Sequence, residues 1–204
     1  MDLVPRNIVV LFDKNVTQEF IALSEEINNH VPSDIVLNTH NMIPHATLYT
    51  TNYPAKNEAR VVAVLKKITG TLRPFSMRFT TPVVDMLGVW INAEKTAVVQ
   101  KTHEQMVDAL HELRDGFYDK GELVAIGNNK KRQESLVKYG MWAAKELYIP
   151  HVTLSRPKDP NRLDEALSFL PKHTAYEAKI TEIAYVERGP FGTCKKIIEK
   201  FPLM

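Results

Sequence analysis

Cysteine is nearly absent: Cys194 is the only one in 204 residues. The chain can therefore form neither an internal disulfide nor a cysteine-based zinc site, and a reducing cytoplasm is the expected compartment. No apolar run approaches the roughly 18–20 residues of a membrane span, so no membrane partner is expected. The opening residues Met1-Asp2-Leu3-Val4-Pro5 carry neither a basic leader nor an apolar signal core, which argues against secretion. An excess of one charge is also missing: 26 Lys and Arg stand against 24 Asp and Glu, a net charge of +2. So weak a field excludes a protein that wraps nucleic acid, but not one that holds one or two phosphates. What remains is ordinary for a globular chain, 44% hydrophobic and 25% charged, with enough length to bury a core.

Apolar periodicity divides the chain into alternating strands and helices. Ile8 to Phe12 reads as a buried first strand, a short run rich in β-branched residues. Phe20, Ile21, Leu23 and Ile27 predict a helix over Thr17–Asn28. Pro44–Thr51 reads as a strand, and Ala55–Ile68 as a helix closed by Gly70. Residues 72–92 suggest a strand pair broken at Thr81-Pro82, because proline removes a ladder donor. A helix over Thr96–Arg114, a polar connection over Asp115–Lys131 and a helix over Gln133–Leu147 follow. Pro150–Arg156 reads as a strand and Asp164–Leu170 as a short helix. Ile180–Glu187 and Thr193–Lys200 read as strands joined by the turn Arg188-Gly189-Pro190-Phe191-Gly192. Antiparallel strands with helices packed against them make the class α+β.

One pattern stands out. Pro44-His45-Ala46-Thr47-Leu48 and Pro150-His151-Val152-Thr153-Leu154 are near copies. A given position matches Pro-His-x-Thr-Leu by chance only about once in 10⁵, so two copies are not accidental. Side chains alternate along a strand, which puts His45, Thr47 and Tyr49 on one face and Ala46 and Leu48 on the other. The same alternation groups His151, Thr153 and Ser155. If the two copies face each other, two imidazoles and two hydroxyls converge on one cleft. Imidazole titrates near neutrality, so one histidine can serve as general base and the other as general acid. Threonine hydroxyls can donate to non-bridging phosphate oxygens. Such a set suits a phosphodiester and needs neither metal nor cofactor.

These motifs, with Tyr148-Ile149-Pro150 leading into the second and Phe201-Pro202-Leu203 closing the chain, resemble the 2H phosphoesterase superfamily, the 2′-5′ RNA ligase-like proteins. The resemblance implies a bilobed α+β fold. Two pseudo-symmetric antiparallel sheets would carry helices on their outer faces and enclose a central, positively polarised cleft. Residues 1–204 would form a single unit with one motif per lobe. The implied activity is metal-independent hydrolysis of 2′,3′-cyclic phosphate to 2′-phosphate on RNA ends or small nucleotides. Alternatives are a 2′-5′ phosphodiesterase, a 2′-5′ RNA ligase and a non-catalytic module that binds RNA ends. Carried over residue by residue, His45 and His151 are the catalytic pair, and Thr47 and Thr153 bind the phosphate. Analogy makes His45 the acid and His151 the base. No obligate protein partner is expected, and both motifs lie in one chain, so a monomer suffices.

Tyr49, Ser155, Arg156 and Phe191 are candidate substrate contacts, the last as an exposed ring able to stack a base. Arg188 and the basic stretch Asn128–Arg132 could meet a phosphate, although a solvated surface explains them as well. His103 and His111 on the predicted middle helix suit packing or the surface rather than metal ligation. His40 suits a loop, Trp142 and Tyr139 the core, and Cys194 a small buried position.

Overall fold

A computed structural model describes residues 2–85, 88–172 and 175–204. The first strand, β1 (Leu3–Leu11), contains Ile8, Val9 and Val10 with no exposed surface, as its unbroken apolar run requires. The chain continues through α1 (Lys14–His30), β2 (Ser33–Val36), β3 (His45–Pro54), α2 (Glu58–Thr69), β4 (Phe75–Asp85), β5 (Gly88–Ala93) and α3 (Ala97–Leu110). Next come α4 (Lys120–Ala125), α5 (Lys130–Tyr139), β6 (His151–Pro157), α6 (Leu163–Ser168), β7 (Tyr176–Ile180), β8 (Glu182–Arg188) and β9 (Cys194–Pro202). Short 3-10 turns extend or join several of these.

The strands form two sheets, ordered β3-β1-β8-β9 and β2-β6-β5-β4-β7, and every pairing among the described residues is antiparallel. The α+β class with two antiparallel sheets is thus as the sequence implies. Neither sheet is a half of the chain, however. The first combines β1 and β3 with the last two strands, and the second takes its strands from β2 through β7. Helices α2 and α3 pack on the first sheet, while α1 and α6 pack on the second. Their apolar stripes explain this. Val16, Phe20, Ile21 and Ile27 of α1 are buried, as are Val61 and Leu65 of α2 and Val99, Met106 and Leu110 of α3. Asp13 starts α1 by accepting from the amides of Asn15 and Val16 at 3.0 and 3.1 Å.

Three differences from the sequence expectations have a local reason. Strand β4 runs through Thr81-Pro82 instead of breaking there, because a register shift between Phe79 and Pro82 accommodates the missing donor. The polar connection after α3 contains the short helix α4, begun by Asp119 capping the amides of Gly121 and Glu122. Helix α5 ends at Tyr139 and not at Leu147. Gly140 takes a left-handed conformation (φ 75°), and a Cβ there would lie 2.5 Å from Thr51 Oγ1.

Candidate active site

The sheets meet where β3 and β6 lie against each other, and the two histidine motifs begin these two strands. Each motif leaves the ladder in the same way. In the first, Val9 pairs with Thr47 and the neighbouring Ile8 pairs with Tyr49, so Leu48 is an extra residue in β3. In the second, Trp90 pairs with Thr153 and Val89 with Ser155, so Leu154 is extra in β6. A bulge advances one strand by a residue and reverses which face the following side chains take.

That reversal corrects two expectations. Simple alternation puts Tyr49 and Ser155 on the face of the histidines, yet both are completely buried on the opposite side. Tyr49 Oη donates to the Tyr139 carbonyl at 2.5 Å, and Ser155 Oγ hydrogen-bonds Ser33 Oγ at 2.7 Å. Neither lines the cleft. Thr50 and Arg156, one residue further along, do. Alternation alone cannot reveal this, since a bulge depends on the partner strand.

The cleft has a volume of about 540 Å³ and is lined by His45, Thr47, His151 and Thr153 together. Both imidazoles are held alike. His45 Nδ1 lies 2.7 Å from the Ile43 carbonyl and His151 Nδ1 lies 2.8 Å from the Ile149 carbonyl. A carbonyl only accepts, so each Nδ1 carries a hydrogen and each Nε2 remains available for proton transfer. Burial is the main cause lowering both pKa values below the usual histidine range. Those backbone bonds oppose it, joined at His45 by the backbone of Gly192.

The two rings differ in their neighbours. Trp90 lies flat on His151, with centroids 3.9 Å apart and planes within 8°. Asp85 adds a negative charge that favours the His151 cation, whereas the charge of His151 itself disfavours a second cation at His45. Nothing in the sequence marks Trp90 beyond its place in a strand; only the pairing of β5 with β6 brings it to the histidine.

Aromatic rings and guanidinium groups flank this centre. Arg156 stands over the Phe191 ring at 4.2 Å, joining β6 to the β8–β9 turn. Phe191 is 55% exposed with φ 57°, so its ring is held outward. Arg132, in the first turn of α5, stands 4.6 Å over Trp142. The sequence reading places Trp142 in the core on a helix. It follows the end of α5 instead and lines the cleft. Arg132, Arg156 and Arg188 outnumber Asp85 and Glu122 among the described lining residues.

Three further histidines lie apart from the cleft. His103 is fully buried on α3, His111 meets the edge of Tyr139 and His40 is exposed between β2 and β3. Cys194 packs with Val9, Leu11, Ala184 and Val186, where burial pushes its thiol up to about 12. Among the described residues, no three His, Cys, Asp or Glu side chains are grouped to hold a metal ion. No described helix is long and apolar enough to cross a membrane.

Two antiparallel sheets meeting along a pair of His-x-Thr strands can be compared with solved structures. TT0787 of Thermus thermophilus superposes with a TM-score of 0.63 at 17% identity, over 98% of this chain and 97% of that one. This chain has the same fold as that structure. E. coli LigT complexed with 3′-AMP gives a TM-score of 0.62 at 11% identity, over 100% of this chain and 99% of LigT. The MHV ns2 PDE domain gives 0.51 at 12% identity, over 96% and 99%. LigT has also been solved with ATP and with NADP+. No family model and no curated protein sequence matches the chain. At these identities the likeness is one of fold.

Proposed function

We propose that the chain is a phosphoesterase of the 2H type, acting without a metal on RNA ends or small nucleotides. In this reading it hydrolyses a 2′,3′-cyclic phosphate to a 2′-phosphate. The observation that carries it is the matched commitment of both Nδ1 atoms to backbone carbonyls, which leaves two Nε2 atoms for one cleft. The nucleotides bound by LigT, a protein of the same fold, support a nucleotide ligand here as well. The same support extends to the reading of residues 1–204 as one unit, since the likeness runs over nearly the whole chain.

The proton transfers follow from two imidazoles. One removes a proton from water as its oxygen attacks phosphorus. The P–O3′ bond breaks, and the other imidazole protonates the departing 3′ oxygen. Thr47 and Thr153 donate to the non-bridging oxygens, where negative charge concentrates. Local electrostatics favour His151 as the acid and His45 as the base, the reverse of the assignment by analogy. An aromatic face and a nearby carboxylate both favour an imidazolium at His151. Arg156 and Phe191 offer a platform for a base at the cleft rim.

The test is incubation in EDTA with 2′,3′-cyclic AMP and with a short RNA bearing a 2′,3′-cyclic end, products being separated by chromatography. A 2′-phosphate should form, and His45→Ala or His151→Ala should each slow turnover by about 10² to 10⁴. Undiminished turnover by the double variant would overturn the mechanism, and a 3′-phosphate product would overturn the regiochemistry.

A further inference from the structure

Arg188, the last residue of β8, lines the cleft with partners of unequal quality. Its Nη2 donates to Asn52 Oδ1 at 2.7 Å, and its Nη1 lies 3.3 Å from Thr50 Oγ1 and 3.4 Å from Glu122 Oε1. The Thr50 contact is anchored. Thr50 donates to Asn7 Oδ1 at 2.6 Å, and the buried Asn7 donates in turn to the Gly192 carbonyl at 2.9 Å. A continuous polar chain therefore fixes the guanidinium in place, with its side chain only 16% exposed.

Glu122 is the loose partner. A charge-assisted bond to arginine normally closes to about 2.7–2.9 Å, and this one does not. Its helix, α4, has six residues and none is buried; Val124 is 81% exposed. Burial raises the Glu122 pKa, while the charge of Arg188 opposes that rise. A carboxylate so held is a poorly compensated anion beside a preformed cation. A phosphate, with more charge and more acceptor oxygens, suits the planar guanidinium fork better.

The position is as informative as the charge. Thr47 and Thr50 stand opposite Val9 and Asn7, two residues apart in β1, so the bulge leaves roughly 7 Å between them along the strand. A phosphate held at the His45–His151 pair therefore has Arg188 within reach of the other end of the same ribose. We propose that Arg188, Thr50 and Asn52 form a second phosphate subsite, occupied by Glu122 until a substrate carrying two phosphates displaces it. The preferred substrate is then an RNA end with a phosphate on the 5′ side of its terminal nucleotide, and α4 opens when it binds. This inference rests on the reading of the cleft as a nucleotide site.

Calorimetric titration of the full chain with adenosine 3′,5′-bisphosphate and with 3′-AMP tests it without requiring turnover. The bisphosphate should bind about tenfold more tightly, the scale of one hydrogen bond to a charged group. Arg188→Gln should bring the ratio of the two affinities close to one. Glu122→Gln, which removes the competing carboxylate and keeps the arginine, should widen that ratio. Equal affinities in the wild type, or a Glu122→Gln ratio that narrows, overturn the second subsite alone. Binding of neither nucleotide overturns the reading of the cleft and this inference with it.

Discussion

His103 and Leu48 are joined by a 2.6 Å hydrogen bond, from the imidazole Nδ1 to the carbonyl of the residue that bulges out of β3. The second motif has a counterpart: Ser24 Oγ donates to the carbonyl of the bulged Leu154 at 2.6 Å. A bulged residue falls out of the ladder, and its carbonyl needs a donor from elsewhere. Helices α3 and α1 supply these donors from behind the sheets. His103 also accepts from the Lys145 amide at 2.8 Å and stacks on Tyr148, whose hydroxyl donates to the Thr47 carbonyl at 2.9 Å. One buried side chain thereby ties the first motif to the segment leading into the second.

His103 should make stability depend on pH in a defined window. Burial is the main cause holding its pKa at about 4. The unfolded chain takes up this proton first as pH falls from about 6.5, so stability is lost between about 6.5 and 4 and the loss levels off below that. The cost is on the order of 3 kcal/mol. Urea unfolding at pH 7, 5.5 and 4 should show it, and His103→Gln should remove this component. An unchanged pH dependence in the variant would rule out His103 as its source.

Trp90 should position and tune His151. If the imidazolium at His151 is the acid, its pKa sets the alkaline limb of the kcat profile. Trp90→Leu removes the aromatic face and should move that limb down by about 0.5 to 1 pH unit, leaving the acidic limb in place. Movement of the acidic limb instead would make His151 the base.

Tyr49 and Ser155 should matter to stability and not to chemistry. Tyr49→Phe leaves the Tyr139 carbonyl without its donor and should cost about 1–3 kcal/mol in chemical denaturation. Its kcat/KM at low temperature should stay within about threefold of wild type, a difference under 1 kcal/mol in transition-state binding. A hundredfold loss in a folded variant would return Tyr49 to the cleft.

Thr47 and Thr153 should act through their hydroxyls. Replacement of either by alanine should lower kcat by about 10² to 10³, the range for losing one donor to developing charge. Thr153→Ser retains the donor and should recover most of the rate. Serine and alanine variants of equal activity would assign these residues to packing.

The two strands that carry the histidines, the apolar faces of α1, α2 and α3, and the pairing of the last two strands can all be read from the chain alone. Period and motif are local properties, visible in residues a few positions apart. What stands opposite each strand is instead a matter of tertiary structure. Bulges at Leu48 and Leu154 turn Tyr49 and Ser155 inward and bring out Thr50 and Arg156. Trp90 reaches His151, and Arg188 reaches Glu122, through contacts between segments far apart in the chain. The left-handed Gly140 ends α5 early enough to put Trp142 on the cleft wall. Each of these depends on register between elements, and register is set by packing that no stretch of sequence contains alone.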